Sequence, residues 1–367
     1  MNLCLNHTSL GYYSKPESNR TNLSDPFGKL GDFITSPEIS QIFGELIGVW
    51  FLSRWIDFGS PDSIRIIELG PGRGTLISDI LRTFKSIKSC NPKIKEIHLV
   101  ENSPFLRKIQ EEKLSKDLSN GNTKLYWYDR IEEIQESSDH WSMIIAHEFF
   151  DALPIHVFQK TDKGFREILV DIDDKNKTTE PIGLIKSIKP IRFVLASKPT
   201  IGSQTLIQEK DYEKFSVGSK IEISPLSLSV AFHLSKLLKL GNGSGLIVDY
   251  GDDHHFGDSL RGFYKHRVVD PLHKPGLTDL TANVNFSKLK EIMNPFCKSY
   301  GPISQREFLL KMGIEVRKQK LKNTDQSVDR LISPRGMGTQ YKFLGIESFR
   351  KHQHDDEGVQ EEVYPFS

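Results

Sequence analysis

The sequence predicts an α/β fold with a mainly parallel sheet, and three observations carry that prediction. Residues 64–75, IRIIELGPGRGT, run four apolar residues (Ile64, Ile66, Ile67 and Leu69) into Gly70, Gly72 and Gly74. Leu76, Ile77, Ile80, Leu81 and Phe84 then recur at helical spacing, so strand, glycine turn and helix follow one another. Short apolar runs at residues 143–146 and 246–248, and one at 97–100 broken only by His98, read as further strands, buried on both faces as parallel sheets require.

Taken in order, residues 1–60 read as a helical region that covers a ligand. Residues 3–13 (LCLNHTSLGYY) are a short apolar piece, and residues 14–30, with Pro16, Pro26 and Gly28, read as a loop. In residues 31–48 (GDFITSPEISQIFGELIG), Thr35 or Ser36 suits an N-cap and Pro37 the first helical turn. Thr35 and Glu38 have capping-box spacing. Ile39, Ile42, Phe43, Leu46, Ile47 and Trp50 share one face, which predicts a single core-facing helix. Asp32 and Thr35, just before it, are candidates to close over a ligand.

Residues 61–155 form the first part of the core. Glycines permit a tight turn and close approach of backbone to a ligand, and the following helix N-terminus adds free N–H groups. A dinucleotide fingerprint needs G-x-G-x-x-G and an acid about 20 positions on. Here the spacing is G-x-G-x-G, Thr75 stands where the third glycine belongs, and the acid ending the next strand, Glu101, comes later. That spacing disfavours a nicotinamide dehydrogenase. Glu68 is a carboxylate at the mouth of the strand. Residues 104–118 read as a helix and residues 125–128 as a short strand ending at Asp129. Asp129 suits a ligand contact and a surface loop equally.

The run at 143–146 opens into His147-Glu148-Phe149-Phe150-Asp151. In open α/β sheets ligands bind beyond the carboxyl ends of the strands, so this loop faces the site with two carboxylates, an imidazole and two phenyl rings. Asp151 as a helix cap and Phe149 as a core residue are the competing structural roles. Residues 156–225 change to alternating apolar and polar stretches and read as antiparallel strands inserted into the core. Residues 226–350 return to the core. They hold a helix at 226–240, a fifth buried strand at 246–251, and an active-site loop carrying Arg261, Gly262, His266 and residues 275–281. The late strand at 341–346 fits the terminal hairpin of a seven-stranded sheet. Residues 351–367 are a polar, acidic tail.

Composition narrows the function classes. Hydrophobic content of 37% and charge of 26% match ordinary folded chains, and a net charge of +1 argues against a nucleic-acid or membrane-surface footprint. Cys4, Cys90 and Cys297 are scattered, with no metal or disulfide spacing. Asp252, Asp253, His254 and His255 lack a second spaced ligand set, so no metal is expected. No apolar run approaches the roughly 18 residues of a membrane span.

Glu68, the three glycines and strand-terminal Glu101 together resemble motif I and the ribose-binding acid of class I S-adenosylmethionine (SAM) methyltransferases. More widely, residues 31–48, 66–76 (IIELGPGRGTL), 98–110 (HLVENSPFLRKIQ), 144–159 (IIAHEFFDALPIHVFQ), 246–251 (LIVDYG) and 276–286 (GLTDLTANVNF) resemble the MidA-like family. That family comprises mitochondrial complex I assembly methyltransferases and their bacterial relatives, and AHEFFDALP is similar to the mitochondrial branch. The segment at 173–210 departs from the family pattern in length. No Arg-rich presequence is visible, and the resemblance implies that Met1 falls close to where the family's shared region begins, as in a shortened N-terminus.

The resemblance implies a class I methyltransferase fold, SAM as cofactor, a protein substrate in complex I, the mitochondrial matrix, and symmetric dimethylation of an arginine. On it, Gly70, Gly72 and Gly74 approach the cofactor backbone, Glu101 binds the ribose hydroxyls, Glu68 the cofactor amine, and Asp129 the adenine amine, with Asp32 and Thr35 closing the site. A guanidinium stays protonated and delocalised, so orienting one nitrogen for attack calls for a carboxylate. Glu148 and Asp151 are the catalytic candidates, with His147 or His266 as proton acceptor and Phe149 and Phe150 stacking on the guanidinium plane. A methyltransferase of another substrate and a non-catalytic assembly scaffold with a vestigial site remain open on the same residues.

Overall fold

A computed structural model describes residues 1–13, 34–87, 93–118, 122–173, 191–208, 213–321, 324–350 and 362–366. It opens with a short helix α1 (Asn2–Asn6), then α2 (Ser36–Ile39) and α3 (Gln41–Asp57). The core begins β1 (Ile64–Leu69), α4 (Thr75–Ser86), β2 (Ile94–Val100), α5 (Pro104–Asp117), β3 (Lys124–Tyr128) and β4 (Trp141–His147). Strands β5 (His156–Thr161), β6 (Gly164–Ile172), β7 (Ile191–Leu195) and β8 (Lys220–Ile223) follow, with α6 (Ile201–Thr205) between the last two. The chain then returns through α7 (Pro225–Gly241), β9 (Gly243–Asp252), β10 (Arg261–Tyr264), β11 (Arg267–Val269), β12 (Asp279–Thr281) and β13 (Val284–Asn285). It ends with α8 (Phe286–Met293), β14 (Cys297–Ser304), α9 (Gln305–Lys311), α10 (Ile314–Lys318), α11 (Asp325–Ile332), α12 (Met337–Gln340) and β15 (Tyr341–Ser348).

Among the described residues the main sheet has the order β14-β15-β9-β4-β1-β2-β3, with β13 paired to the end of β9. β3, β2, β1, β4 and β9 are parallel, whereas β15 is antiparallel to both β9 and β14. This is the seven-stranded arrangement with a terminal hairpin that the sequence predicts. All six residues of central β1 are buried. That includes Arg65, whose guanidinium donates to Ser142 Oγ (2.8 Å) and to the carbonyls of Gln135 (2.9 Å) and Leu237 (3.4 Å). A buried cation of this kind is tolerated because its donors are used. A second, four-stranded antiparallel sheet, β7-β6-β5-β8, is inserted between β4 and α7.

Three expectations need correction. The predicted single helix after Thr35 is broken at Ser40, which is extended (φ −157°, ψ 134°) and caps α3 by accepting from Ile42 N. Thr35 makes no side-chain cap, and Glu38 instead accepts from Thr75 Oγ1 (2.5 Å), fastening α2 to the start of α4. Strand β14 went unread because Gly301-Pro302 sits in its middle; it is an edge strand with a register shift between Tyr300 and Ile303, where a proline costs least. The loop around Arg261 is a three-stranded sheet, β11-β10-β12.

Helix α3 lies tight on α4 because Gly44 and Gly48 share a face. A Cβ at Gly44 would stand 2.5 Å from Asp79 Cβ, and one at Gly48 3.1 Å from Thr83 Cβ. Trp50, Phe51 and Ile47 on α3 are fully buried, each large apolar side chain contributing roughly 1.5–3 kcal/mol of transfer free energy. No described helix is long and apolar enough to cross a membrane.

Candidate active site

The parallel strands end side by side, with Leu69 opposite Val100 and Ala146, and Val100 opposite Tyr128. Beyond these ends lies a cavity of about 550 Å³. Its lining gathers Thr35, Glu68, Gly70, Gly72, Glu101, Asp129, His147, Glu148 and Asp151, all predicted site residues. Gly74 stands one step behind, as the N-cap of α4. Asp32 lies outside the described residues. His266 does not reach the cavity; it is exposed at the turn between β10 and β11. Phe150 is 3% exposed and packed in the core, which removes it from the expected stacking pair, whereas Phe149 lines the cavity.

One half of the cavity is built by the glycine turn. Gly70, Gly72 and Gly74 have φ of 63°, 53° and 73°, a region that side chains with a Cβ disfavour. A Cβ on Gly70 would also come within 2.9 Å of Phe149 Cδ2, so the turn and the His147–Asp151 loop are fitted to one another. Gln110, fully buried on α5, holds the turn in place: its Nε2 donates to Gly72 O (2.7 Å) and to Glu101 Oε2 (3.4 Å), and its Oε1 accepts from Trp127 Nε1 (2.9 Å). Glu101 Oε1 accepts from Ser103 N (2.9 Å). Burial pushes the Glu101 carboxyl up to about 7, although these bonds favour its ionised form. Glu68 is 2% exposed, its Oε2 has no partner, and burial pushes its carboxyl up to about 8. Two desolvated carboxyls, one with an orphaned oxygen, call for a ligand that brings donors and positive charge. Asp129 sits at the rim, 2.5 Å from Arg107 Nη2.

The other half is built around β4, β9 and β15. Glu148 has φ 50°, an uncommon conformation for a residue with a side chain, and its N–H bonds Val248 O (2.9 Å). Asp249, fully buried within β9, shapes this turn by accepting from Phe150 N (2.9 Å), Asp151 N (3.2 Å) and Tyr250 N (2.8 Å). Tyr341 Oη is 2.7 Å from both Glu148 Oε1 and Tyr250 Oη. Burial pushes Glu148 up to about 8, with Tyr341 pulling it down and Asp151 pushing it further up. Asp151 is raised to about 6 by burial, against the pull of Arg261, whose own guanidinium bonds Asn283 Oδ1 (2.6 Å) and lies over the Tyr250 ring (5.4 Å). His147 packs against Phe43 and Tyr341, its Nε2 has no hydrogen-bond partner, and burial drives its pKa down to about 3. It is therefore a neutral imidazole.

Sequence reasoning missed Tyr250, Tyr341, Asp249 and Gln110, and placed Asp279 and Thr281 in an active-site loop without giving either a role. Asp279 and Thr281 line the cavity from β12, and Tyr13 Oη donates to Asp279 (2.9 Å), tying the N-terminal segment to that wall. Thr281 Oγ1 is buried without a partner. One signal was available. An antiparallel strand starts where its parallel neighbours end, so the first residue of the last strand, Tyr341, had to fall at the ligand end of the sheet.

A seven-stranded sheet of this order, a glycine turn backed by an acid at the end of each of the first two strands, and a cavity fitted to a donor-rich cation define a class I SAM-dependent methyltransferase. Comparison with known proteins agrees. A model of S-adenosyl-L-methionine-dependent methyltransferases matches residues 46–303. Protein arginine methyltransferase NDUFAF7, mitochondrial, of Danio rerio is 40% identical, covering 94% of this chain and 82% of the relative; that of Homo sapiens is 38% identical, covering 88% and 75%. A crystal structure of a COG1565 superfamily member from Burkholderia thailandensis bound to S-adenosyl-homocysteine shares the fold, with a TM-score of 0.73, 22% identity, and coverage of 94% and 86%. The chain belongs to the MidA-like family of SAM-dependent methyltransferases.

Proposed function

We propose that the protein methylates arginine in a protein substrate, in mitochondria, as its NDUFAF7-named relatives suggest. The observation that carries this reading is the pair Glu148 and Asp151, presented with the Phe149 ring on one loop inside a carboxylate-rich cavity. SAM supplies a methyl group on a cationic sulfonium, so the protein's task is alignment more than acid–base power. Glu68, through its unpartnered Oε2, would receive the cofactor amine, Glu101 the ribose hydroxyls, and the backbone of Gly70 and Gly72 the adjoining chain. Thr35 and Asp32 would close that half, and Asp129 would meet the adenine.

In the other half, an entering guanidinium restores the charge of Glu148, since a cation beside a buried carboxyl favours its ionised form. The Tyr341 hydroxyl, bonded to Glu148 Oε1, and the backbone of Ser36 hold the carboxylate that would grip the guanidinium fork. Phe149 offers a face for the planar cation. The proton released as the nitrogen becomes methylated passes to Asp151 or Glu148 rather than to His147, whose lowered pKa makes it a poor base. Symmetric dimethylation, a complex I core subunit as client and the matrix as compartment rest on the family resemblance.

Calorimetric titration with SAM, followed by mass spectrometry of a complex I core subunit incubated with the protein and SAM, tests the reading. Dimethylarginine lost in Glu148→Gln supports it. SAM binding with no arginine modified overturns the substrate assignment, and normal arginine methylation by both Glu148→Gln and Asp151→Asn overturns the carboxylate assignment.

A further inference from the structure

The turn of the β10–β11 hairpin takes no part in the chemistry above, yet strand β10 stands at the wall of the cavity. Phe263 on β10 lines the cavity, and β10 pairs with β12, which carries Asp279 and Thr281. Outside that wall the hairpin turns basic. Residues 264–275 read YKHRVVDPLHKP, with three permanent cations against one carboxylate. Lys265, His266, Arg267 and Lys274 are all exposed. Among the described residues no carboxylate pairs with Arg267 or Lys274.

These cations are gathered, not scattered. The Tyr264 ring has Lys265 Nζ 5.5 Å and Lys274 Nζ 4.7 Å from its centroid, and Lys274 Nζ is 3.4 Å from Tyr264 Oη. The His273 ring meets the same tyrosine at 5.3 Å. Two successive turn residues, Lys265 (φ 51°) and His266 (φ 60°), occupy the left-handed region in which a hairpin turn favours asparagine and glycine. The chain thus keeps a lysine and a histidine where backbone conformation argues against them. Exposed Val268 and Leu277 add apolar surface beside the charges.

The site therefore has two signs: a cavity crowded with carboxylates, and a basic projection on its rim. A ligand that suits both carries a cation to be inserted and negative charge alongside it. We propose that the β10–β11 hairpin, through Lys265, His266 and Arg267, together with Lys274 of the following loop, docks an acidic stretch of the protein substrate that flanks the methylated residue. This rests on the reading that the substrate is an arginine side chain within a protein. Such docking sets encounter rate and substrate choice, and it weakens with salt.

The test uses the full chain saturated with S-adenosyl-homocysteine and fluorescent peptides holding one arginine flanked by glutamates, by glutamines or by lysines. Anisotropy should show the glutamate peptide binding about tenfold tighter than the glutamine peptide at low salt, with the advantage shrinking as salt rises. Arg267→Glu and Lys274→Glu should abolish the preference, raise KM for the glutamate peptide and leave kcat and S-adenosyl-homocysteine affinity unchanged. Lys320→Glu, an equal charge change after α10, should keep it. Equal binding of the three peptides, or a preference that survives both hairpin variants, overturns the proposal. Replacing the peptide's arginine with glutamine separates the two readings: a hairpin-dependent glutamate preference that persists, with no peptide methylated in any series, retains the docking surface and overturns the arginine assignment.

Discussion

Tyr341 and Glu148 lie 193 residues apart in sequence and are joined by a 2.7 Å hydrogen bond. The bond links the first residue of the last strand to the loop after β4, and Tyr250 joins it from β9, so three strands converge on one carboxylate. Tyr341→Phe removes the donor without creating a large void. We expect kcat to fall by on the order of tenfold to a hundredfold with cofactor affinity unchanged, and stability to drop by about 1–2 kcal/mol as Glu148 loses one of its donors. Steady-state kinetics beside thermal denaturation checks both.

Gly70 is confined twice, by a φ of 63° and by Phe149 at 2.9 Å from any added Cβ. Gly70→Ala should weaken S-adenosyl-homocysteine binding by about tenfold or more, since a conformational cost of 1–2 kcal/mol and a steric one add. Gly70→Ala with Phe149→Ala should recover part of that affinity in calorimetry, because only the steric component is relieved. No recovery would show that backbone conformation alone decides.

The raised carboxyls predict a direction with pH. Glu68 at about 8 and Glu101 at about 7 are substantially protonated in the free protein near neutrality. A cationic ligand requires them ionised, so SAM affinity should rise between pH 6 and 8.5, with protons released on binding. For the free protein the sign is opposite: these groups hold protons more tightly folded than unfolded, so their stabilising contribution is full below about 4.5 and lost as pH rises through 7 to 8. The melting-temperature gain from S-adenosyl-homocysteine should therefore grow with pH. A gain that shrinks over this range would contradict the assignment of Glu68 and Glu101 to the cofactor.

Gln110 ties Gly72, Glu101 and Trp127 together from a fully buried position. Gln110→Leu keeps the volume but strands the Trp127 N–H and frees the glycine turn. A stability loss of about 1–3 kcal/mol and a rise in the cofactor Kd should appear together. Calorimetry and denaturant titration on the same sample measure both.

What the sequence disclosed followed physical periodicity. β1 and β9 were legible because strands buried on both faces are nearly uninterrupted runs of apolar residues. The glycine turn was legible because few alternatives tolerate three such residues in five. The cavity lining was legible wherever a residue directly follows a parallel strand, as Glu101 and Glu148 do. Contacts made by distant elements were not: nothing local marks Asp249 as the acceptor that shapes the 148–151 turn, or Gln110 as the anchor of Gly72. His266 misled because a histidine in a loop near the ligand end looks catalytic until its hairpin is seen to aim the turn outward. Phe150 misled because two adjacent phenylalanines in a turn point to different sides.

The inserted sheet enters and leaves the core as a matched pair, with His156 opposite Ile223. Its first and last strands are therefore neighbours about 5 Å apart. Once that pair has formed, the tether between the end of β4 and the start of α7 is reduced to residues 148–155 and Ser224. The bond from Phe150 N to Asp249 spans 99 positions of sequence, and its closure entropy would otherwise be that of a long loop. Insertions or deletions beyond the pair leave the spacing of β4 and β9 untouched, so length variation there can proceed without repositioning the carboxylates of the 148–151 turn.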